Sequence, residues 1–187
     1  DYFDDCLKAA QNFCQEQGAH FLSPFDDADV IEGQASVAVE IERQLGGTPD
    51  HIVLPVGGGG LSSGLLSYFG TTSQFTLVEP LGGACLWAAL IAGKPVKLDK
   101  VDTFADGAAV GQIGQRTFEC LKSIGLANVL RIPEDRICIT MLEMLNIEGI
   151  VLEPAGALAI DALKDLGQMI RGRKVVSVSS GGKFDFE

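Results

Sequence analysis

The sequence predicts an α/β protein, with a mostly parallel sheet carrying helices on both faces. Two observations predict it. Helical and strand-like patterns alternate along the 187 residues, and the strand-like runs are short and almost wholly apolar. Such runs belong to strands buried on both faces, whereas one-sided antiparallel strands alternate apolar with polar. Ligands of these sheets bind beyond the carboxyl ends of the strands. The loops after Val56, Glu79, Leu152 and Val178 are therefore the places to look for a site.

Each element has its own signal. Phe3, Cys6, Leu7, Ala10, Phe13 and Cys14 share one helical face, with acids in the first turn and Gly18 as a stop. A short apolar segment, His20 to Phe25, reads as extended. A second helix carries Val30, Val37, Ile41 and Leu45 and ends at Gly46-Gly47. The strand His51 to Val56 leads through a glycine run into a helix over Leu61 to Phe69. The strand Phe75 to Glu79 precedes a helix near Ala84 to Ala92, and another helix spans Gln112 to Ile124. Val129 to Ile132 is a short strand. Pro133 opens the next helix, with Glu134 and Asp135 at its positive end. Ile150 to Leu152 reads as a strand, Pro154 to Leu166 as a helix, and Lys174 to Val178 as the last strand.

Composition narrows the function. Hydrophobic residues make up 47% and charged residues 21%, the balance of a folded globular chain. A formal net charge of -11 argues against a nucleic-acid groove or an anionic membrane as partner. Any bound anion must then be held locally, by backbone amides and helix ends. The five cysteines form no C-x-x-C pair and read as free thiols rather than a disulfide framework or zinc site. No apolar run approaches a membrane span and no signal peptide is evident, so the cytoplasm is the expected compartment. The chain starts at Asp1 inside a helical pattern, as a fragment or processed chain would.

The strongest motif is Gly57-Gly58-Gly59-Gly60-Leu61-Ser62-Ser63-Gly64, between a buried strand and a helix. Glycines let the chain turn sharply and aim several N–H groups into one concavity. The helix that follows adds its unpaired amides and positive end, making a phosphate site that needs no basic side chain. A plain strand-to-helix turn would not require four consecutive glycines. It is not a Walker loop, because no Lys-Ser/Thr follows. A dinucleotide site is a rival: Gly57 and Gly59 fit, and Glu79 stands where a ribose-binding acid would fall, but Ser62 replaces the third glycine. A second motif, Ser179-Ser180-Gly181-Gly182, follows the last strand. Two glycine-rich strand ends in one parallel sheet point to a shared ligand.

These motifs, with Val78-Glu79-Pro80, Phe104-Ala105-Asp106-Gly107 and Leu152-Glu153-Pro154-Ala155-Gly156-Ala157, resemble the fold-type II (tryptophan synthase β-like) pyridoxal phosphate enzymes. More narrowly, Pro24-Phe25-Asp26 with Val30-Ile31-x-Gly33-Gln34 resembles the biosynthetic threonine deaminases, and serine dehydratases and serine racemases share the pattern. The resemblance implies pyridoxal 5'-phosphate as cofactor. Gly57, Gly58, Gly59, Gly60 and Leu61 would hold its phosphate, and Ser180 would face its pyridine nitrogen. A hydroxyl there leaves that nitrogen neutral, a weaker electron sink than a protonated ring, which suits β-elimination. Gly107, beside Asp106, and Glu153 form a second tier. Glu153 reads equally as a helix-start acid.

The resemblance further implies conversion of threonine, or serine, to a keto acid and ammonia in branched-chain amino-acid (isoleucine) biosynthesis, by a homo-oligomer. Residues 1–35 would be the tail of a small domain and 36–187 the later part of the large cofactor-binding one, so the fold would be incomplete at its N-terminus. The departures are specific. The family's Schiff-base lysine lies in a Ser-Phe-Lys-x-Arg-Gly-Ala-type motif, and no lysine here has that context, so no catalytic residue is assigned. Lys183 replaces the asparagine usual after Ser-Gly-Gly and reads as a surface lysine. Serine-racemase-like members build a metal site on the glutamate matching Glu79 and an acid six residues on. Cys85 stands there, so no metal is expected. His20 and His51 read as structural. Two other readings stay open: a non-catalytic module for a phosphorylated ligand, and a dinucleotide-binding oxidoreductase domain.

Overall fold

A computed structural model describes residues 3–183. Its centre is a four-stranded sheet in the order β3-β2-β1-β4, with every pair parallel. The strands are β1 (His51–Pro55), β2 (Gln74–Pro80), β3 (Val129–Ile132) and β4 (Val175–Ser177). Alternate side chains of β1 and β2 enter two separate cores. Ile52, Leu54, Phe75 and Leu77 pack with α4 (Gly60–Phe69), α5 (Cys85–Ala92) and α6 (Gln115–Leu121). Val53 and Val78 pack with α7 (Glu134–Glu143) and α8 (Pro154–Leu166) on the other face. Continuous apolar strands are what a sheet covered twice demands.

The remaining helices are α1 (Phe3–Gln17), α2 (Ala28–Gln34) and α3 (Ser36–Leu45). The single helix expected over Val30 to Leu45 is thus broken at Ala35. The break lies where the chain passes over Gly64 of α4: a Cβ on Gly64 would stand 2.7 Å from both Ile31 O and Ala35 N. α7 and α8 are joined by a buried charge cluster, in which Asp161 lies 2.6 Å from Arg136 Nη2 and accepts from Thr140 Oγ1 at 2.7 Å.

Two extended segments of the sequence reading are not strands. His20 to Phe25 and Ile150 to Leu152 enter no ladder. Ile150 and Val151 are exposed, and the segment's tie to the final residues is Glu153 N–H donating to Gly181 O at 3.2 Å. Of the three residues 150–152, only Leu152 is buried, in the core beneath α7 and α8. The helix expected from Gln112 begins at Gln115, because Gly114 is extended and Asp26 caps the helix there. Among the described residues no helix is long and apolar enough to cross a membrane.

Candidate cofactor site

β1 and β4 are parallel neighbours, so their carboxyl ends deliver the glycine run and Ser179-Ser180 to the same edge of the sheet. Val178 N–H donates to Val53 O at 2.8 Å and fixes this register. The glycine run leaves β1 at Val56, whose amide donates to Val78 O at 2.8 Å, and enters α4 at Gly60. Gly59 sits at φ +91°, a conformation that favours glycine. A Cβ on Gly58 would overlap the Phe25 ring, and one on Gly57 would stand 3.1 Å from Ala108 Cα. The run is glycine because two other segments press against it.

Its carbonyls are tied back. Cys85 Sγ lies 3.5 Å from Gly57 O, and Thr117 Oγ1 donates to Gly58 O at 2.8 Å. Its amides are not. Among the described residues, the N–H groups of Gly57, Gly58 and Gly59 donate to no protein acceptor, and those of Gly60 and Leu61 belong to the first turn of the ten-residue α4. Orphan amides in sequence at a helix's positive end are the donors an anion takes.

Ser180 lies at a second cluster, around the start of α8. Its carbonyl occupies the space a Cβ on Gly156 would need, and Gly181, at φ +69°, is pressed against the Glu153 carboxyl group. Gly107 closes the same cluster: a Cβ there would meet Ala155 Cβ at 3.1 Å and Glu153 Oε1 at 3.3 Å. The Gly107-Ala108 step therefore bridges the two clusters, touching Glu153 on one side and Gly57 on the other. Burial, then the charge of Asp106, raises the Glu153 pKa.

A cleft of about 720 Å³ opens here, lined by Thr103, Asp106, Glu153, Gly182 and Lys183 among others. The glycine run is not part of its lining, and the Phe25 ring lies against Gly58. Lys183, read from sequence as a surface lysine, is exposed yet lines this cleft. Sequence reasoning gave no role to Thr117, Asp26 or Phe25. Their sequence-distant contacts left no local signal beyond the Pro24-Phe25-Asp26 triplet.

Glu79 is spoken for. It is fully buried, and its two carboxylate oxygens accept from Leu86 N at 2.7 Å and Trp87 N at 2.9 Å. It caps α5, and its full burial keeps it from any ribose hydroxyl, which removes the dinucleotide reading's acid. Cys85 beside it is a neutral thiol, its pKa raised by burial and by the Glu79 charge. Among the described residues no cluster of His, Cys, Asp or Glu is arranged to hold a metal ion. His51 is buried in β1 with Nε2 2.9 Å from Thr76 Oγ1, and it lies at the opposite, amino end of the strand.

Residues 1–181 match the profile of the family described as "Pyridoxal-phosphate dependent enzyme". The chain belongs to this family. Among its relatives, the biosynthetic L-threonine dehydratase of Bacillus subtilis is 43% identical over 99% of the chain and 44% of the dehydratase. That of Mycobacterium leprae is 40% identical over 98% of the chain and 44% of the relative. The chain thus spans less than half the length of these relatives. Among solved structures, the processed form of threonine deaminase isoform 2 from Solanum lycopersicum superposes with a TM-score of 0.86 at 33% identity, covering 96% of this chain and 53% of the other. Maize serine racemase superposes with a TM-score of 0.86 at 25% identity, covering 100% and 59%. The parallel sheet with helices on both faces is the fold-type II architecture of these enzymes.

The residues present fit the family's cofactor. Three successive amides without an acceptor among the described residues, followed by the first-turn amides of α4, suit a phosphoryl group, and a strand end carrying a serine hydroxyl lies on the adjacent strand.

Proposed function

We propose that this chain supplies the phosphate-holding part of a pyridoxal phosphate site in an enzyme that converts threonine to 2-oxobutanoate and ammonia, the water lost from Cβ being regained when the released enamine is hydrolysed. One observation carries the proposal: among the described residues the amides of Gly57, Gly58 and Gly59 have no acceptor while their carbonyls are tied back, at the positive end of α4. When bound, the cofactor supplies an electron sink that eases loss of a proton from Cα and of the hydroxyl from Cβ. The chain's own residues do the rest of the holding. The amides of Gly57, Gly58, Gly59, Gly60 and Leu61 would bind the phosphoryl oxygens, and the helix end would offset their charge in a chain of net charge -11. The Ser180 hydroxyl would donate to the ring nitrogen and keep it unprotonated. Gly107 and Glu153 would line the cofactor's other side.

Threonine as substrate rests on the names of the relatives, and a serine-directed lyase or racemase is the alternative that the serine racemase likeness favours. The division into residues 1–35 and 36–187 belongs to the same proposal. Weak packing of α1, whose Phe13 is 60% exposed, supports a separate first unit, although α2 is already seated on α4. The five thiols, all unbridged, accord with a cytoplasmic enzyme.

The test is a titration of the 187-residue chain with pyridoxal 5'-phosphate, followed by displacement with inorganic phosphate. Saturable binding that phosphate displaces is expected; binding indifferent to phosphate overturns the site. With threonine added, no 2-oxobutanoate above the free-cofactor rate is expected, because no lysine here stands in the family's motif and no assigned group removes the Cα proton. Steady production of keto acid would show that a lysine of this chain, Lys183 first among them, does that work.

A further inference from the structure

We propose that Thr117 is a positioning residue for the cofactor phosphate, acting through the peptide plane between Gly58 and Gly59. The inference deepens the proposed site and rests on it. No peptide bond among the described residues is cis. In a trans peptide the C=O and N–H point to opposite sides. A hydroxyl that holds Gly58 O from one side therefore turns the Gly59 N–H to the other. Thr117 Oγ1 does this from the first turn of α6, donating at 2.8 Å, with Gly114 O a longer second acceptor at 3.2 Å. The preceding plane is held likewise, by Cys85 Sγ on Gly57 O. Glycine at φ +91° has no side chain to fix its own torsions, so the loop's order must come from outside.

Thr117 is itself fixed. It is fully buried, and a Cβ on Gly59 would stand 2.9 Å from Thr117 Cβ, so the side chain abuts the loop it orients. Its helix is anchored by Asp26, whose carboxylate accepts from the amides of Gln115 (3.0 Å), Arg116 (2.7 Å) and Thr117 (3.2 Å). Asp26 follows Phe25, whose ring covers the Cα face of Gly58. The loop is thus held between the Phe25 ring and the Thr117 hydroxyl, and one short segment, Phe25-Asp26, fixes both holders. Donors aimed before the ligand arrives save the ordering cost at binding.

The experiment compares pyridoxine 5'-phosphate with pyridoxine, which lacks the phosphate; neither has an aldehyde to react with surface lysines. Binding to the 187-residue chain and its variants is followed by ligand fluorescence, with inorganic phosphate as competitor. Thr117→Val, close in shape but without the hydroxyl, should weaken pyridoxine 5'-phosphate about tenfold and leave pyridoxine within twofold. Thr117→Ser should restore the wild-type ratio. If Thr117→Val does not fold, the Thr117→Ser and Thr117→Ala pair, which differ only in the hydroxyl, make the same comparison. An unchanged affinity ratio between the two ligands overturns the role of Thr117. Wild-type binding that phosphate does not displace overturns the site itself, and this inference with it.

Discussion

Glu79 shows how one side chain can look functional and be structural. A carboxylate at a strand end, next to a glycine turn, is what a ligand-binding acid looks like in sequence. In the fold it turns back onto the amides of Leu86 and Trp87. Burial pushes its pKa up to about 7, only partly offset by those two amides. The folded state then binds a proton that the unfolded chain has lost between pH 4.5 and about 7. Stability from this group is present at low pH and falls as pH rises through that window, by about 3 kcal/mol at most. His51 has the opposite sign: burial and Arg173 lower its pKa, so its contribution begins to be lost as pH falls below 6.5. Glu79→Gln isolates the first effect. Its absolute stability should drop, since one amide loses its acceptor, but the decline in urea midpoint expected of the wild type from pH 5 to pH 8 should flatten. Equal slopes in both proteins would remove Glu79 as the titrating group. The site's glycines were legible because each needs a special backbone or a close neighbour. Thr117 and Asp26 were not, since their partners lie 59 and about 90 residues away.

At the level of elements, sequence patterns succeeded where burial is regular and failed where contact is local and three-dimensional. The four strands and α4 to α8 were legible from solid apolar runs, Pro133 and Pro154 at helix starts, and glycine stops. Ile150 to Leu152 has the composition of a strand but meets no strand partner. The close seating of α2 and Ala35 on Gly64 was invisible because Gly64 lies on another helix. That contact makes a prediction with an internal control. Alanine in a helix interior usually stabilises relative to glycine by about 1 kcal/mol. Gly33, in α2, has open space around its Cβ position, so Gly33→Ala should gain up to that amount. Gly64→Ala should instead lose about 1–3 kcal/mol as α2 is forced off α4, because the new methyl would stand 2.7 Å from backbone atoms that cannot swing aside. Urea denaturation of the two variants checks the pair. Shifts in the same direction would mean that α2 and α4 separate without cost.

For the whole molecule the question is which surfaces the fold leaves unfinished. The two edges of the sheet are treated differently. At β3 the Arg131 guanidinium lies over the Trp87 ring, 4.1 Å from its centroid, and puts charge and bulk at the edge. At the other edge β4 pairs with β1 alone over three residues. On the face carrying α7 the apolar surface continues outward. Ile139, Leu142, Leu145, Ile147, Ile150 and Val151 are all exposed, Ile147 by 74%, around an apolar groove of about 250 Å³. Scattered surface leucines need no explanation, but an apolar groove lined by the exposed Leu142, Leu145 and Val151 does. The net charge of -11 opposes association at long range, and salt weakens that opposition without touching the apolar term. The chain should therefore associate with itself, more strongly at high salt. Sedimentation velocity across a concentration series at low and high salt reads this directly. Leu142→Glu with Ile147→Lys, which leaves the net charge unchanged, should return the chain toward monomer at equal salt. A wild-type chain that stays monomeric throughout, or a double variant that associates as wild type does, would mean that this surface drives nothing.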